Sequence, residues 1–130
     1  MRHNPAFLQL VEGVRRNIRE CGVETVKEKL AQKTECVVLD VREDHEVEGG
    51  IIPGALHLGR GILERDVETK IPDKATEIVL YCGGGYRSAL AADSLQKMGY
   101  TNVWSMEGGM KAWKAAGFPL KEIESGRRKS

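Results

Sequence analysis

Two short apolar runs, each ending on a chemically distinctive residue, limit this chain more than any other feature. Cys36-Val37-Val38-Leu39 stops at Asp40, and Ile78-Val79-Leu80-Tyr81 stops at Cys82. Neither run alternates apolar with polar residues, so each reads as a strand buried on both faces, the pattern of a parallel sheet covered by helices on both sides. A weaker strand is read at Val103-Trp104-Ser105-Met106, and a short one at Leu56 to Leu58 after the turn-rich stretch Gly49 to Ala55. Amphipathic segments lie between them. Phe7, Val11, Val14 and Ile18 form a stripe on a helix starting near Pro5, and Val23, Val26 and Leu30 mark a second helix entered through Gly22. Ile18 to Cys21 reads equally as the last turn of the first helix or as a short strand. Ala91, Leu95 and Met98 belong to a helix from Tyr86 stopped by Gly99, and Met110 and Trp113 to one from Gly109 stopped by Gly117 and Pro119. The fold class is α/β, with right-handed crossovers. In such sheets ligands bind outside the carboxyl ends of the strands, so Asp40, Cys82 and Met106 should face one end of the molecule.

A length of 130 residues is one domain's worth and enough to build a core without metal or disulfide staples. Twenty Lys and Arg against 19 Asp and Glu leave a net charge of +1, which argues against a dedicated nucleic-acid binder. The basic cluster Arg127, Arg128 and Lys129 is read as a solvated, frayed tail, with docking on an acidic partner as the alternative. No apolar run reaches the length of a membrane span, and Glu12, Arg15 and Arg16 interrupt what would be a secretory leader. A soluble, cytoplasmic protein without membrane attachment is expected. Three cysteines with no C-x-x-C pair give neither a disulfide framework nor a zinc site, and no metal or cofactor is expected.

Chemistry concentrates in Tyr81-Cys82-Gly83-Gly84-Gly85-Tyr86-Arg87-Ser88, where a buried strand runs through a cysteine and three glycines into a helix. A triple glycine costs backbone entropy and is tolerated where the chain takes positive φ or turns several N–H groups toward one point. That point is beside Cys82, with a helix N-terminus aimed the same way and Arg87 adding a full charge. Such a cradle favours an anion, and so the thiolate that acts as a nucleophile. A lone cysteine at a strand end is ordinarily an inert small hydrophobe, and a glycine turn ordinarily only a turn. Their combination at this place marks a site.

These residues resemble the single-domain rhodaneses, the rhodanese-like sulfurtransferases. Asp40-Val41-Arg42-Glu43 is similar to the family's D-V-R-x. Glu46 to Gly50 with Ile52-Pro53-Gly54-Ala55 is similar to E-x-x-x-G-H-I-P-G-A, except that Ile51 stands where histidine is usual. Cys82 to Ala89 is similar to the loop C-x-x-G-x-R-S-A, and Gly99-Tyr100, Val103, Gly108-Gly109 and Trp113 to the closing G-Y-x-x-V and G-G-x-x-x-W. The resemblance spans about residues 18 to 120. It implies a rhodanese-like parallel sheet of approximately five strands with helices on both faces. It also implies an N-terminal helical extension at 1–17, the domain at 18–121 and a polar basic tail at 122–130.

The reaction that the resemblance implies is transfer of a sulfane sulfur from a donor, thiosulfate or a persulfide, through a persulfide on Cys82 to a thiol or cyanide-like acceptor, or to an acceptor protein. Backbone N–H groups of Gly83, Gly84, Gly85, Tyr86, Arg87 and Ser88 would stabilise the persulfide anion. Arg87 would either steer an anionic donor or pair with a carboxylate and brace the loop. Asp40 and Arg42 are supporting residues: the acid holds loop N–H groups and the arginine is tied to a carboxylate such as Glu46. His57 and Arg60 are read as surface residues or as the pocket mouth, and Cys21 and Cys36 as structural thiols, Cys36 inside a buried strand. The loss of histidine at Ile51 removes a polar contact near the loop. A cysteine-dependent phosphatase or arsenate reductase is the rival reading. Its loop has five residues between cysteine and arginine, whereas four separate Cys82 from Arg87. A phosphate or nucleotide cradle lacks its G-K-[ST] or third glycine here. A sulfur carrier or binding module with little thiosulfate turnover remains the alternative within the fold.

Overall fold

The computed structural model describes residues 3–122, so the basic tail expected at 122–130 lies outside the described residues except for its first position. Five strands, β1 (Arg19–Cys21), β2 (Val37–Asp40), β3 (Leu56–His57), β4 (Ile78–Tyr81) and β5 (Val103–Met106), form one sheet in the order β1-β5-β4-β2-β3. Every neighbouring pair is parallel. Among the described residues six α-helices accompany it: α1 (Pro5–Arg15), α2 (Val23–Ala31), α3 (Asp44–Val47), α4 (Leu63–Lys70), α5 (Tyr86–Lys97) and α6 (Gly109–Ala115).

The period of two along β4 divides the core. Ile78, Leu80 and, just past the strand, Cys82 point to one face, where Leu63 and Val67 of α4 and Ala91, Ala92 and Leu95 of α5 cover them. Val79 and Tyr81 point to the other face, against Val26 of α2 and Met110 and Trp113 of α6. All four residues of β4 are buried, as an apolar run without alternation requires of a strand covered on both sides. Helix α1 lies outside this sandwich and packs on α5, with Val11 only 1% exposed.

The structure settles the ambiguous stretch, corrects the reading of Cys36 and adds two helices. Residues 19–21 are a strand that pairs with β5, Cys21 opposite Met106, a partner too distant in sequence for four residues to reveal. Cys36 precedes β2 and is half-buried, because pairing with β4 begins at Val37 opposite Ile78. Helices α3 and α4 went unread: α3 is a single turn, and α4 buries only Leu63 and Val67. No helix among the described residues is long and apolar enough to cross a membrane.

Candidate active site

Cys82 follows the last residue of β4 and is 1% exposed, at the carboxyl end of the sheet. The chain turns through Gly85 at φ +96°, a left-handed conformation that glycine adopts without strain, and enters α5 at Tyr86. This turn reverses the backbone around the sulfur. The Gly85 N–H donates to Sγ at 3.2 Å and the Ser88 N–H at 3.4 Å. Of the loop amides expected to converge, these two reach the sulfur. Ser88 Oγ lies 3.6 Å from Sγ and 2.8 Å from Ser105 Oγ of β5, and both serines are fully buried. Ser105 was read only as a strand residue; its position beneath Ser88 depends on β5 lying beside β4, which local sequence does not show.

The loop is held from the other side by α6. Its first amides donate back into the loop, Met110 N–H to the Cys82 carbonyl at 2.8 Å and Lys111 N–H to the Gly83 carbonyl at 3.0 Å. The approach is close enough that a Cβ on Gly109, itself at φ +55°, would overlap the Cys82 carbonyl oxygen and meet the Gly83 carbonyl at 2.8 Å.

Charge is arranged differently from the sequence reading. Arg42 forks onto Asp40, with Nη2 donating to Oδ2 at 2.8 Å and Nε to Oδ1 at 3.0 Å, and Asp40 also accepts the Arg42 N–H at 2.9 Å. Both side chains are buried. Arg42 reaches residue 46 only at its backbone carbonyl and also donates to the Gly50 carbonyl at 2.7 Å, which ties down the segment that carries α3. The Glu46 carboxylate instead takes Arg87 in a two-pronged pair at 2.6 and 2.9 Å. Spacing along a loop does not tell which of two arginines a carboxylate meets. Arg87 thus has the bracing partner that was one of its two readings. This hydrogen-bonded pairing, opposed by partial burial, lowers the Glu46 carboxyl to about 2. Burial, first among the causes, raises the Cys21 and Cys36 thiols to about 11, so at neutral pH neither is an ionised nucleophile. Both belong to or pack against the core on the face opposite Cys82. Ile51 is buried on that same face. His57 Nε2 meets the Arg42 carbonyl at 2.8 Å, and Arg60 pairs with Glu64; both are half-buried.

Cys82 opens at the floor of a cavity of about 690 Å³. Tyr86 and Arg87 of α5 and Glu43, His45 and Glu46 around α3 form part of its wall, and His57 and Arg60 do not line it. Besides Gly84 of the loop, the rest of the wall comes from His3, Asn4 and Phe7, which sequence reading did not connect with the cysteine. Phe7, on the apolar stripe of α1, lies half-exposed, its ring centroid 6.1 Å from that of Tyr86.

A sheet of this order, with a cysteine loop between its central strand and the following helix, invites comparison with known proteins. The family model for the rhodanese-like domain matches residues 23–116. The chain belongs to the rhodanese-like family. YtwF of Bacillus subtilis is 40% identical to it over 96 residues, 74% of this chain and 90% of that one. The sulfurtransferase of Allochromatium vinosum is 32% identical over 103 residues, 79% of this chain and 94% of that one. Among solved structures, the thiosulfate sulfurtransferase of Pseudomonas aeruginosa superposes with a TM-score of 0.80 at 29% identity, over 95% of this chain and 25% of that one.

Two outcomes follow from the geometry. Gly109→Ala should lower stability by at least about 1–3 kcal/mol in urea unfolding, from positive-φ strain and the overlap with Cys82. Gly13→Ala, in the last turn of α1 with nothing within 4 Å of the added carbon, should gain up to about 1 kcal/mol; equal effects at the two positions would contradict the brace. Because Glu46 titrates at about 2 in the folded state against an ordinary 4.5, its contribution is complete above pH 4.5 and is lost as pH falls through about 2. Glu46→Gln should therefore lose less stability than the wild type between pH 4.5 and 2, and parallel urea midpoints across that range would refute the pairing.

Proposed function

We propose that the protein is a sulfurtransferase working in two covalent steps through a persulfide on Cys82. In the first step the Cys82 thiolate attacks the outer sulfur of a sulfane donor. With thiosulfate, the S–S bond of the donor breaks, sulfite leaves with the electron pair, and Cys82 carries –S–S⁻. In the second, a thiolate or cyanide attacks that terminal sulfur and the Cys82 thiolate is restored. No metal or cofactor enters either step.

The observation that carries this reading is the convergence of the Gly85 and Ser88 amides on Sγ at 3.2 and 3.4 Å. Donors already aimed at a sulfur need no reorganisation when negative charge moves onto it, the principle by which preorganised amides serve oxyanions. On the buried side the Cys82 thiol donates to the Ser88 hydroxyl at 3.6 Å, and once the thiol is ionised that hydroxyl, bonded to Ser105, is placed to turn its proton to the sulfur. Membership of the family and the sulfurtransferase of Allochromatium vinosum support the same chemistry. The rival phosphatase chemistry needs an arginine forked onto a tetrahedral oxyanion. Here the guanidinium two-pronged face is occupied by Glu46. We further assign the domain to residues 18–121, with α1 as an addition, and place its work in the cytoplasm.

Incubation with thiosulfate or glutathione persulfide should add the mass of one sulfur atom to the intact protein. Cys82→Ala should abolish the addition, while Cys21→Ala and Cys36→Ala should retain it. A mass that never changes with any sulfane donor, together with hydrolysis of a phosphate ester, would replace the proposal with a phosphatase.

A further inference from the structure

The cavity above Cys82 is closed on one side by residues that precede the stretch matched by the family model. Matching begins at residue 23, whereas His3, Asn4 and Phe7 belong to α1 and the segment leading into it. The His3 ring stacks at 4.4 Å from the Tyr86 ring and 5.3 Å from Phe7, tilted against both. Arg15, at the other end of α1, lies over the same tyrosine at 5.3 Å. Tyr86 is the first residue of α5, directly after the glycine whose amide holds the sulfur. The N-terminal segment therefore both walls the cavity and packs on the residue that ends the sulfur-binding turn.

The chemistry of that cavity selects against a small dianion. Its permanent charges are the carboxylates of Glu43 and Glu46 and the guanidinium of Arg87. The guanidinium is matched by Glu46, which stays ionised down to about pH 2. A donor with two negative charges would meet the Glu43 carboxylate and a single guanidinium already shared with Glu46, the further cation Lys111 lining the adjoining cavity. An aromatic wall suits an apolar or aromatic group, and about 690 Å³ lies in the range of small-molecule sites.

Resting on the proposed sulfur transfer, we infer that His3 and Phe7 form a specificity wall that makes this protein prefer small organic sulfane donors of single negative charge, whose carbon group packs against Phe7 and Tyr86, over thiosulfate. The step balances for such a donor. With an aryl thiosulfonate, R–SO₂–S⁻, the Cys82 thiolate bonds to the outer sulfur, the donor's S–S bond breaks, and the sulfinate R–SO₂⁻ departs with the electron pair, leaving Cys82–S–S⁻.

Benzenethiosulfonate and thiosulfate form the test pair, since one differs from the other by a phenyl group in place of a charged oxygen. The full chain should show kcat/KM ratios, benzenethiosulfonate over thiosulfate, that fall about tenfold in the double variant His3→Ala, Phe7→Ala, mainly through KM for the aromatic donor. Cyanide is the acceptor throughout. A second variant does not touch the packing of α1: His45 is exposed on the opposite wall, and His45→Lys should raise kcat/KM for thiosulfate about tenfold while changing that for benzenethiosulfonate much less. A ratio unchanged in both variants, with sulfur still loading onto Cys82, would overturn the specificity wall and leave the sulfurtransferase reading standing. Failure of both donors to load Cys82 in the wild type would overturn the sulfurtransferase reading itself, and with it this one.

Discussion

Everything at this site depends on two stretches of backbone lying in contact where α6 begins. The amides of Met110 and Lys111 bond to the carbonyls of Cys82 and Gly83, and Gly109 leaves no room for a side chain between them. Those bonds fix the first two peptide units of the loop, and further along it the amides of Gly85 and Ser88 reach the sulfur. Fixed N–H dipoles act on the sulfur at short range, and the Arg87 guanidinium, paired with Glu46, faces the same cysteine.

The charged residues around the loop support it mechanically. Asp40 and Arg42 are a buried pair fully engaged with each other and with backbone at residues 42, 46 and 50, so that the charge carries its own hydrogen bonds into the interior. That pair fixes the segment on which Glu46 stands. Glu46, in turn, caps α3 by accepting the Glu43 N–H and holds Arg87, so β2, α3 and α5 are linked by two ion pairs joined through the Arg42 bond to the Glu46 carbonyl. Among the consequences is a cavity whose one guanidinium is already matched.

The parts legible in sequence are those where a residue's neighbours in the chain are also its neighbours in space. Cys82, the glycine turn and the start of α5 are consecutive, and the apolar runs of β2, β4 and β5 state their own burial. The rest is decided across the fold. Cys21 lies in a strand because Met106 is there to pair with it. Glu46 was assigned to Arg42, and the structure gives it to Arg87, forty-one residues away. Gly108-Gly109 was visible as a family pattern, but its purpose becomes physical only when α6 docks on the loop. Helical period put Phe7 on the apolar stripe of α1, but not that the stripe buries only Val11 and turns Phe7 toward Tyr86.

The account is tested most directly by a crystal structure of the protein after exposure to a sulfane donor. The arrangement predicts one additional sulfur atom bonded to Cys82 Sγ, with the Gly85 and Ser88 nitrogens still within hydrogen-bond distance of the sulfur pair. A bare Cys82 with the added sulfur on Cys21 or Cys36, or a modified Cys82 turned away from both amides, would contradict it.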